Sequence, residues 1–188
     1  DRGIYLKASS HNIMSGNTIV NNSDSGIMVA SVRNDPYYPT NNTLKDNVIV
    51  DNNYGIKSDT RSSYYIRPVY NLTIVNNKVN RNTQGGIYLH TSYYGTISGN
   101  FLEDNGGLGG INIINSYSNL ISSNTVLNNS RYGIHLNGHY NELFNNLITN
   151  GDYGIFLRSS SRNTLSGNNM TMNTYNFGIY EGGYMYLE

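Results

Sequence analysis

Apolar residues recur along this chain with a fixed local spacing. A Gly-Ile pair is followed, after one variable residue, by a second and usually apolar residue, as in Gly26, Ile27 and Val29. This alternation has the period of a β-strand. The pairs are separated by 23, 29, 31, 24, 23, 21 and 24 residues, and they begin at Gly3, Gly26, Gly55, Gly86, Gly110, Gly133, Gly154 and Gly178. Self-similarity at this period predicts stacked repeats.

The second half of each repeat contains asparagines five residues apart with one apolar residue between them. The first asparagine column is Asn12, Asn42, Asn119, Asn141 and Asn163, with Leu72 and Gly95 in the two remaining repeats. The second is Asn17, Asn47, Asn77, Asn100, Asn124, Asn146 and Asn168. The third is Asn22, Asn52, Asn82, Asn105, Asn129 and Asn173, with Gly151 as the exception. Apolar columns run between them, from Met14 to Leu165 and from Ile19 to Met170.

These columns predict the architecture. Asparagine tolerates the left-handed backbone of a sharp corner, and stacked amides can hydrogen-bond from one coil to the next. The asparagine columns are therefore interpreted as corners and the apolar columns as walls. We expect an all-β, right-handed parallel β-helix, because parallel crossovers are overwhelmingly right-handed. It should contain seven complete coils of three short strands each and the start of an eighth.

Composition narrows the possible partners. The chain has 188 residues, which suits a single domain over 1–188. It starts inside a repeat, so we expect a fragment of a longer protein whose other domains meet the open coil ends. Formal net charge is zero and basic residues form no run, which argues against nucleic acid. Cysteine is absent, and no apolar run has the length of a membrane span.

The repeat units resemble those of a known group of proteins. Gly-Ile-x-Leu and Asn-x-Ile-x-x-Asn are similar to the parallel β-helix repeats of pectate-lyase-like proteins, including the carbohydrate-binding and sugar-hydrolase group with NosD-type periplasmic proteins. The asparagine- and tyrosine-rich character also resembles surface β-helices of methanogenic archaea, including those associated with disaggregatase, which acts on a cell-wall polysaccharide. The resemblance implies a fold and an exported protein that binds or degrades polysaccharide. It does not assign residue roles, because the matching residues build the coil.

Two consecutive repeats carry insertions between the Gly-Ile strand and the next corner, at 32–39 and 59–68. They are either tolerated loop growth or the wall of a cleft. Aromatic residues are frequent at the same corner, and rings along a rod suit an extended polysaccharide. Tyrosine is also simply a good strand residue. The aromatic candidates for substrate binding at this corner are Tyr37, Tyr38, Tyr64, Tyr65, Tyr93 and Tyr94. The same corner also carries Tyr117, His139 and Tyr140 in later coils.

Polar residues also follow the Gly-Ile strands at outward positions. The residue two after each glycine forms one outward column, which comprises Tyr5, Met28, Lys57, Tyr88, Asn112, His135, Phe156 and Tyr180. The next column comprises Lys7, Ala30, Asp59, His90, Ile114, Asn137 and Arg158. We predict catalytic roles for Lys57, Asp59, His90, His135 and Arg158, and substrate-binding roles for Tyr88, Asn112 and Asn137. Asp59 and His90 should lie one coil apart.

Several chemistries remain open for these columns. Hydrolysis needs two carboxylates, and Asp59 would need Asp35 as its partner. β-Elimination needs a base, a cation for the uronate carboxylate and a proton donor. For that reaction His90 or Lys57 is the candidate base, Arg158 or Lys57 the clamp, and Tyr88 or His135 the donor.

No cofactor or metal is expected. Calcium would require several acids together, and copper is unsupported because the four histidines are scattered and cysteine is absent. Glycan binding without chemistry and a purely structural role in a surface layer are the competing interpretations. Glycosylation sequons suit an extracellular or cell-surface protein, and they begin at Asn21, Asn41, Asn71, Asn128 and Asn169.

Overall fold

A computed structural model describes residues 1–32, 37–59 and 67–180, with only the backbone of Asp59. Within these ranges the regular structure consists of parallel β-strands and no helix. The strands of sheet 1 are Arg2–Lys7, Ser25–Ala30, Tyr54–Asp59, Gly85–His90, Gly109–Tyr117, Tyr132–His139, Tyr153–Arg158 and Tyr175–Tyr180. Those of sheet 2 are Ile13–Ser15, Thr43–Lys45, Thr73–Val75, Thr96–Ser98, Leu120–Ser122, Glu142–Phe144 and Thr164–Ser166. Those of sheet 3 are Thr18–Val20, Val48–Val50, Lys78–Asn80, Phe101–Glu103, Thr125–Leu127, Leu147–Thr149 and Asn169–Thr171.

Each strand pairs in parallel with its equivalent in the next coil, so the predicted β-helix is confirmed. Sheets 2 and 3 each contain seven strands, and sheet 1 contains eight main strands from successive coils. Coils are numbered here from 1 to 8 by their strand in sheet 1. Coils 3 and 4 add the short strands Val69–Tyr70 and Ser92–Tyr93, which extend sheet 1 alongside Tyr117. The long strand Gly109–Tyr117 is thus paired along most of its length.

The apolar columns fill the interior as predicted. Ile27, Leu44, Ile74 and Ile111 are fully buried, and the core is one continuous cluster running through the stack. Burying an aliphatic side chain contributes about 1.5–3 kcal/mol. Because each coil adds a similar set of apolar residues to this cluster, the stack is stabilised by contacts between neighbouring coils.

Hydrogen bonds between asparagine side chains connect the coils at the corners. Corner 1 joins sheets 1 and 2, corner 2 joins sheets 2 and 3, and corner 3 joins sheets 3 and 1. At corner 2 every Nδ2 donates to the Oδ1 one coil further, at 2.8–3.0 Å, from Asn17 through to Asn168. The same Oδ1 atoms also accept backbone N–H groups, as Asn124 does from Asn100 at 3.0 Å. We call this arrangement the amide ladder.

The structure corrects the predicted conformation of the corners. The left-handed residue is the one before each ladder asparagine, as at Asp46 (φ 56°), Asn76 (φ 54°) and Ser123 (φ 55°). That residue turns the chain, so the next side chain points into the interior, where Asn47 and Asn124 are buried. The ladder asparagines are therefore selected for their amides rather than for an unusual backbone.

The glycine of the Gly-Ile pair stands where no side chain fits. A Cβ on Gly26 would lie 2.5 Å from Ile49 Cγ2 and 2.8 Å from the carbonyl oxygen of Gly55. In the last coil the motif is out of register, because Gly178 pairs with Phe156 and Tyr180 pairs with Arg158. The assignment of Tyr180 to the column of Phe156 is therefore wrong. A chance Gly-Ile two residues further along the chain imitates the repeat.

Candidate functional site

The outer face of sheet 1 brings several predicted site residues into one row. Lys57 pairs with Tyr88, Tyr88 with Asn112, and Asn112 with His135 on adjacent strands. A second row is confirmed in part, because His90 pairs with Ile114 and Ile114 with Asn137. Ile114 separates His90 from Asn137. Lys57, Tyr88, Asn112 and His135 therefore form the continuous polar row of this face.

Much of that row is covered rather than exposed to water, unlike the expected solvent-facing sheet. Asn112 retains no exposure and His135 retains 8%, and Met28, next to Lys57 on the adjacent strand, retains 3%. Large side chains on the same face contribute to this cover, since the Tyr132 and Phe156 rings lie 4.8 and 5.6 Å from the His135 ring. Alternation along a strand fixes which way a side chain points, but it does not determine what lies over it.

Lys57 is held in an ion pair that the sequence did not reveal. Its Nζ donates to Asp24 Oδ1 at 3.1 Å and lies 5.0 Å from the centre of the Tyr54 ring. Arg2 contacts the other oxygen of the same carboxylate at 2.8 Å. Partial burial raises the pKa of Asp24, but the hydrogen bonds and charges of Lys57 and Arg2 outweigh it, and the pKa falls below its usual value. Nothing in the spacing of Asp24 indicated this contact.

His90 makes polar contacts with two neighbours. Its Nδ1 is 2.9 Å from the Thr91 hydroxyl, and its Nε2 is 3.4 Å from the side-chain nitrogen of Asn115. The strand places Asp59 beside Ala30 in backbone register. The Asp59 side chain, Asp35, Tyr64 and Tyr65 lie outside the described residues, so the predicted contact between Asp59 and His90 and the Asp35 partnership remain predictions.

His135 is a buried imidazole without a hydrogen bond to any described group. Both ring nitrogens and the neighbouring Asn112 Oδ1 are unpartnered within the part of the chain that the structure describes. Burial, with a smaller effect of the Arg158 and Arg131 charges, lowers the pKa of His135 to about 4. The ring is therefore neutral at physiological pH. Arg158 itself is exposed, with its guanidinium 5.7 Å from the centre of the Tyr180 ring.

A second constellation follows corner 1, where five aromatic rings from coils 2 to 6 contact one another in sequence. The ring centres of Tyr38, Tyr70, Tyr93, Tyr117 and His139 are separated by 5.7, 5.7, 5.1 and 5.5 Å. We call these five residues the aromatic strip. Tyr70 was missed by sequence reasoning, although its place one residue before the Asn71 corner matches that of Tyr93 before Tyr94.

Exposed tyrosines border the strip. Tyr94 keeps 62% of its surface exposed and stacks on Tyr70 at 6.5 Å, while Tyr140 keeps 51% and accepts a hydrogen bond from Arg162. The exposed fraction of Tyr37, in the same region of the sequence, is 71%. Desolvation, reinforced by neighbouring phenols, raises the pKa of Tyr70 and Tyr93. Their hydroxyls therefore remain protonated donors at neutral pH.

The strip coincides with the interruption of the corner 1 ladder. The two exceptions in the asparagine column, Leu72 and Gly95, directly follow Asn71 and Tyr94. Leu72 is buried in the core, and the backbone N–H of Gly95 still donates to Asn119 Oδ1 at 2.8 Å. Rings thus replace amides as the lateral contacts between coils 3 and 4. The surface is most irregular where its aromatic residues are concentrated.

Metal-ligating side chains are dispersed. Among the described residues, no three of His, Cys, Asp and Glu come together. His11 Nε2 lies 3.1 Å from Asn41 Nδ2, and His139 Nδ1 lies 2.6 Å from the Ser161 hydroxyl. The described donor set therefore does not fit a copper centre, which needs convergent imidazole or sulfur ligands.

Comparison with known families agrees with the fold. A family model described as right handed beta helix region matches residues 1–92. A second model, described as periplasmic copper-binding protein (NosD), matches residues 58–186. No curated protein matches the chain significantly. Across residues 1–32, 37–59 and 67–180, no helix has the length and apolar character to cross a membrane. Because the NosD match covers more than half of the sequence, the chain belongs to the NosD family of parallel β-helix proteins.

Proposed function

We propose that this β-helix binds a polysaccharide along corner 1, with the aromatic strip as its platform. The observation that carries the proposal is the unbroken contact of five rings from five successive coils. Sugar C–H faces stack on aromatic rings while phenol oxygens bond to hydroxyls. Because the rings advance by one coil each along the rod, the matching ligand is an extended chain rather than one sugar.

The size and exposure of two corner 1 tyrosines support a binding role. Tyr94 and Tyr140 occupy left-handed corner positions, with φ of 58° and 57°. Such a conformation costs a non-glycine residue about 1–2 kcal/mol. Asn41 and Asn71 fill the equivalent position in coils 2 and 3, so the fold does not require a bulky ring there. Because the left-handed turn is common to all the coils, it is the exposure of these two rings, 62% and 51%, that suits contact with a ligand.

The setting agrees with this proposal. The family is described as periplasmic, which indicates an extracellular or periplasmic location where glycans are present. Copper does not enter the proposal, because the described donor set does not fit it. A polysaccharide or cell-wall glycan is therefore the partner we propose, and its sugar composition is what the binding screen below would define.

The proposal is tested by removing the exposed rings. Tyr94→Ala combined with Tyr140→Ala should weaken binding in a screen of acidic and neutral cell-wall polysaccharides by about tenfold or more, since ring–sugar stacking is lost. Tyr5→Ala combined with Tyr175→Ala removes two exposed tyrosines remote from the strip and is the matched control. An equal loss in both double variants, or no binding by the wild-type chain, would overturn the proposal and favour a structural role.

Cleavage of the bound glycan is tested on the same samples. Release of reducing ends without unsaturated ends would indicate hydrolysis, and release of both together would indicate β-elimination. Either activity should disappear in Lys57→Ala, His90→Ala or Arg158→Ala if these predicted residues act in catalysis. Binding without either product would restrict the function to recognition, which we favour because Lys57 is paired with Asp24 and His135 is covered.

A further inference from the structure

Within the aromatic strip, the closest pair of rings belongs to two residues that face each other on adjacent strands. Tyr93 and Tyr117 are paired in parallel register between coils 4 and 5. Their ring centres are 5.1 Å apart, compared with 5.5–5.7 Å for the other neighbours in the strip. Because the strand pairing fixes both backbones, the two phenols stay in contact as long as the coils remain stacked.

The hydroxyl ends of these two rings are also close to each other. Desolvation, with smaller contributions from the phenols of Tyr117 and Tyr70, raises the pKa of Tyr93. A neighbouring group affects a pKa in this way only at short range, so the phenol oxygens are neighbours. The Cε carbons flank the carbon that carries the hydroxyl group, so they lie near this contact as well.

The angle between the two rings suits a covalent bond between them. A carbon–carbon bond that joins two aromatic rings lies in the plane of both, so stacked rings must separate before they can form it. The planes of Tyr93 and Tyr117 are inclined by 73°, with the edge of one ring towards the other. Tyr153 and Tyr175 are about as close, at 4.9 Å, but are stacked with an angle of only 22°. The stacked pair is therefore a comparison within the same chain.

The composition and the setting of the chain favour oxidation of tyrosine. The sequence has 18 tyrosines and no cysteine, so a disulfide cannot link its coils. The family is described as periplasmic, and exported proteins lie in oxidising compartments. Tyr38 and Tyr117 keep 42% and 36% of their surface exposed, which gives an oxidant access to the strip. Contact between successive rings then allows an electron to pass from one phenol to the next.

We infer that Tyr93 and Tyr117 form a site of oxidative modification, at which a haem peroxidase acting with hydrogen peroxide joins the two rings as dityrosine. Each phenol gives up one electron and its hydroxyl proton. The two radicals form a bond between their Cε carbons, and the ring protons at these carbons move to the phenol oxygens. Hydrogen peroxide accepts the two electrons and two protons and becomes two water molecules. The product has lost two hydrogen atoms and joins coils 4 and 5 covalently.

The inference does not rest on the proposed function, although it concerns the same strip. Coupling of the two rings requires no polysaccharide, so it is measured in the absence of any glycan. A chain that binds glycan without forming dityrosine, or forms dityrosine without binding glycan, would separate the two proposals.

The test oxidises the 188-residue chain at high dilution with a plant haem peroxidase and hydrogen peroxide. Gel filtration then recovers the monomer, which removes products of cross-linking between chains. Dityrosine fluorescence measures the yield, and mass spectrometry of peptides locates the bond. Tyr93→Phe and Tyr117→Phe keep the rings but cannot form a phenoxyl radical. The matched controls are Tyr153→Phe in the stacked pair and Tyr5→Phe, an exposed tyrosine of coil 1.

We expect the main cross-link in the wild-type monomer to join Tyr93 and Tyr117, and to persist in both control variants. It should be lost in Tyr93→Phe and in Tyr117→Phe. In urea the preference for this pair should disappear, because the strand pairing creates it. The inference is overturned if the monomer forms no dityrosine, if the main cross-link joins any other pair, or if the same pair still dominates in the unfolded chain.

Discussion

Corners 1 and 2 connect the same coils in different ways. Corner 2 has an unbroken amide ladder whose central members, such as Asn77, Asn100 and Asn124, retain 1% of their exposure. Corner 1 has lost its asparagine in coils 3 and 4 and carries the aromatic strip beside that gap. Both arrangements connect the coils, but the ladder uses its hydrogen-bonding groups internally. At the aromatic edge the rings of Tyr94 and Tyr140 stay more than half exposed, so their surfaces are accessible from solvent.

The comparison shows where a solenoid can carry function. A saturated ladder has no group left for a ligand, and replacing one member leaves buried partners unsatisfied. An aromatic edge depends on ring packing, which tolerates exchange and exposure better. We expect sequence changes to be damaging at corner 2 for stability and damaging at corner 1 for binding. Three predictions test this division, in order of decreasing effect.

Asn100→Ala should have the largest effect. It removes the Nδ2 bonds to Ile74, Ser98 and Asn124. It also leaves the backbone N–H of Asn77 without its acceptor and removes one of the three acceptors of Asn77 Nδ2. We expect the free energy of unfolding to fall by about 4 kcal/mol, because several buried groups lose their partners. Urea denaturation measures the loss, with the exposed Lys78→Ala as control. Similar values for the two variants would show that the ladder contributes little to stability.

Two histidines of the strand Tyr132–His139 extend the comparison to the stability of the protein at low pH. His139 at corner 1 is paired with Ser161, whereas His135 is buried and unpartnered, with a pKa lowered to about 4 from an ordinary 6.5. Between these values the unfolded chain binds the proton more readily than the folded chain. The burial of neutral His135 therefore costs no stability above about pH 6.5. As the pH falls towards 4, the free energy of unfolding decreases by about 3 kcal/mol in total.

The acid effect is measured by urea denaturation between about pH 7 and pH 4. His135→Gln should remove the corresponding part of the pH dependence, while His11→Gln, at an exposed position, should retain it. If wild type and His135→Gln lose stability in parallel over this range, the imidazole is not desolvated as the structure indicates. Protonation of carboxylates contributes equally to all three curves and cancels in their differences.

Tyr94→Asn should have the smallest effect on stability, and in the opposite direction. Asparagine tolerates the left-handed position, so the free energy of unfolding should rise by up to about 1 kcal/mol despite the lost contact with Tyr70. Polysaccharide binding should weaken. Ser118→Asn, at the equivalent position one coil later (φ 54°), should leave binding unchanged. A less stable Tyr94→Asn with unchanged binding would assign Tyr94 to packing instead.

The stacked columns could be predicted from sequence because each coil repeats the same physical demands. A core-facing residue, a glycine against the neighbouring backbone and a buried amide recur at fixed positions, so alignment alone places them. Even the sequons partly reflect this geometry, since Asn21, Asn41, Asn71 and Asn128 occupy left-handed corners. Repetition in the sequence therefore identifies the fold, but it gives little information about which ligand the surface binds.

The remaining features depend on contacts that occur once. The ion pair of Asp24 with Lys57 depends on side-chain reach, and the burial of His135 depends on the rings of Tyr132 and Phe156. Neither follows from strand alternation. The predicted register of Gly178 was wrong for a related reason. A Gly-Ile pair looks the same in sequence whether or not its glycine packs against the backbone of the neighbouring coil. Tyr70 could have been found by aligning the residues that precede each corner 1 turn.

The amide ladder also gives the solenoid a direction. Every ladder asparagine at corner 2 presents its oxygen to the preceding coil and its nitrogen to the following one, so the amide dipoles align and polarise one another along the rod. A duplicated coil could enter such a stack, because it would receive and present the same groups as its neighbours. An inverted coil could not. Lengthening by whole repeats is thus the natural way for this protein to change the reach of its surfaces.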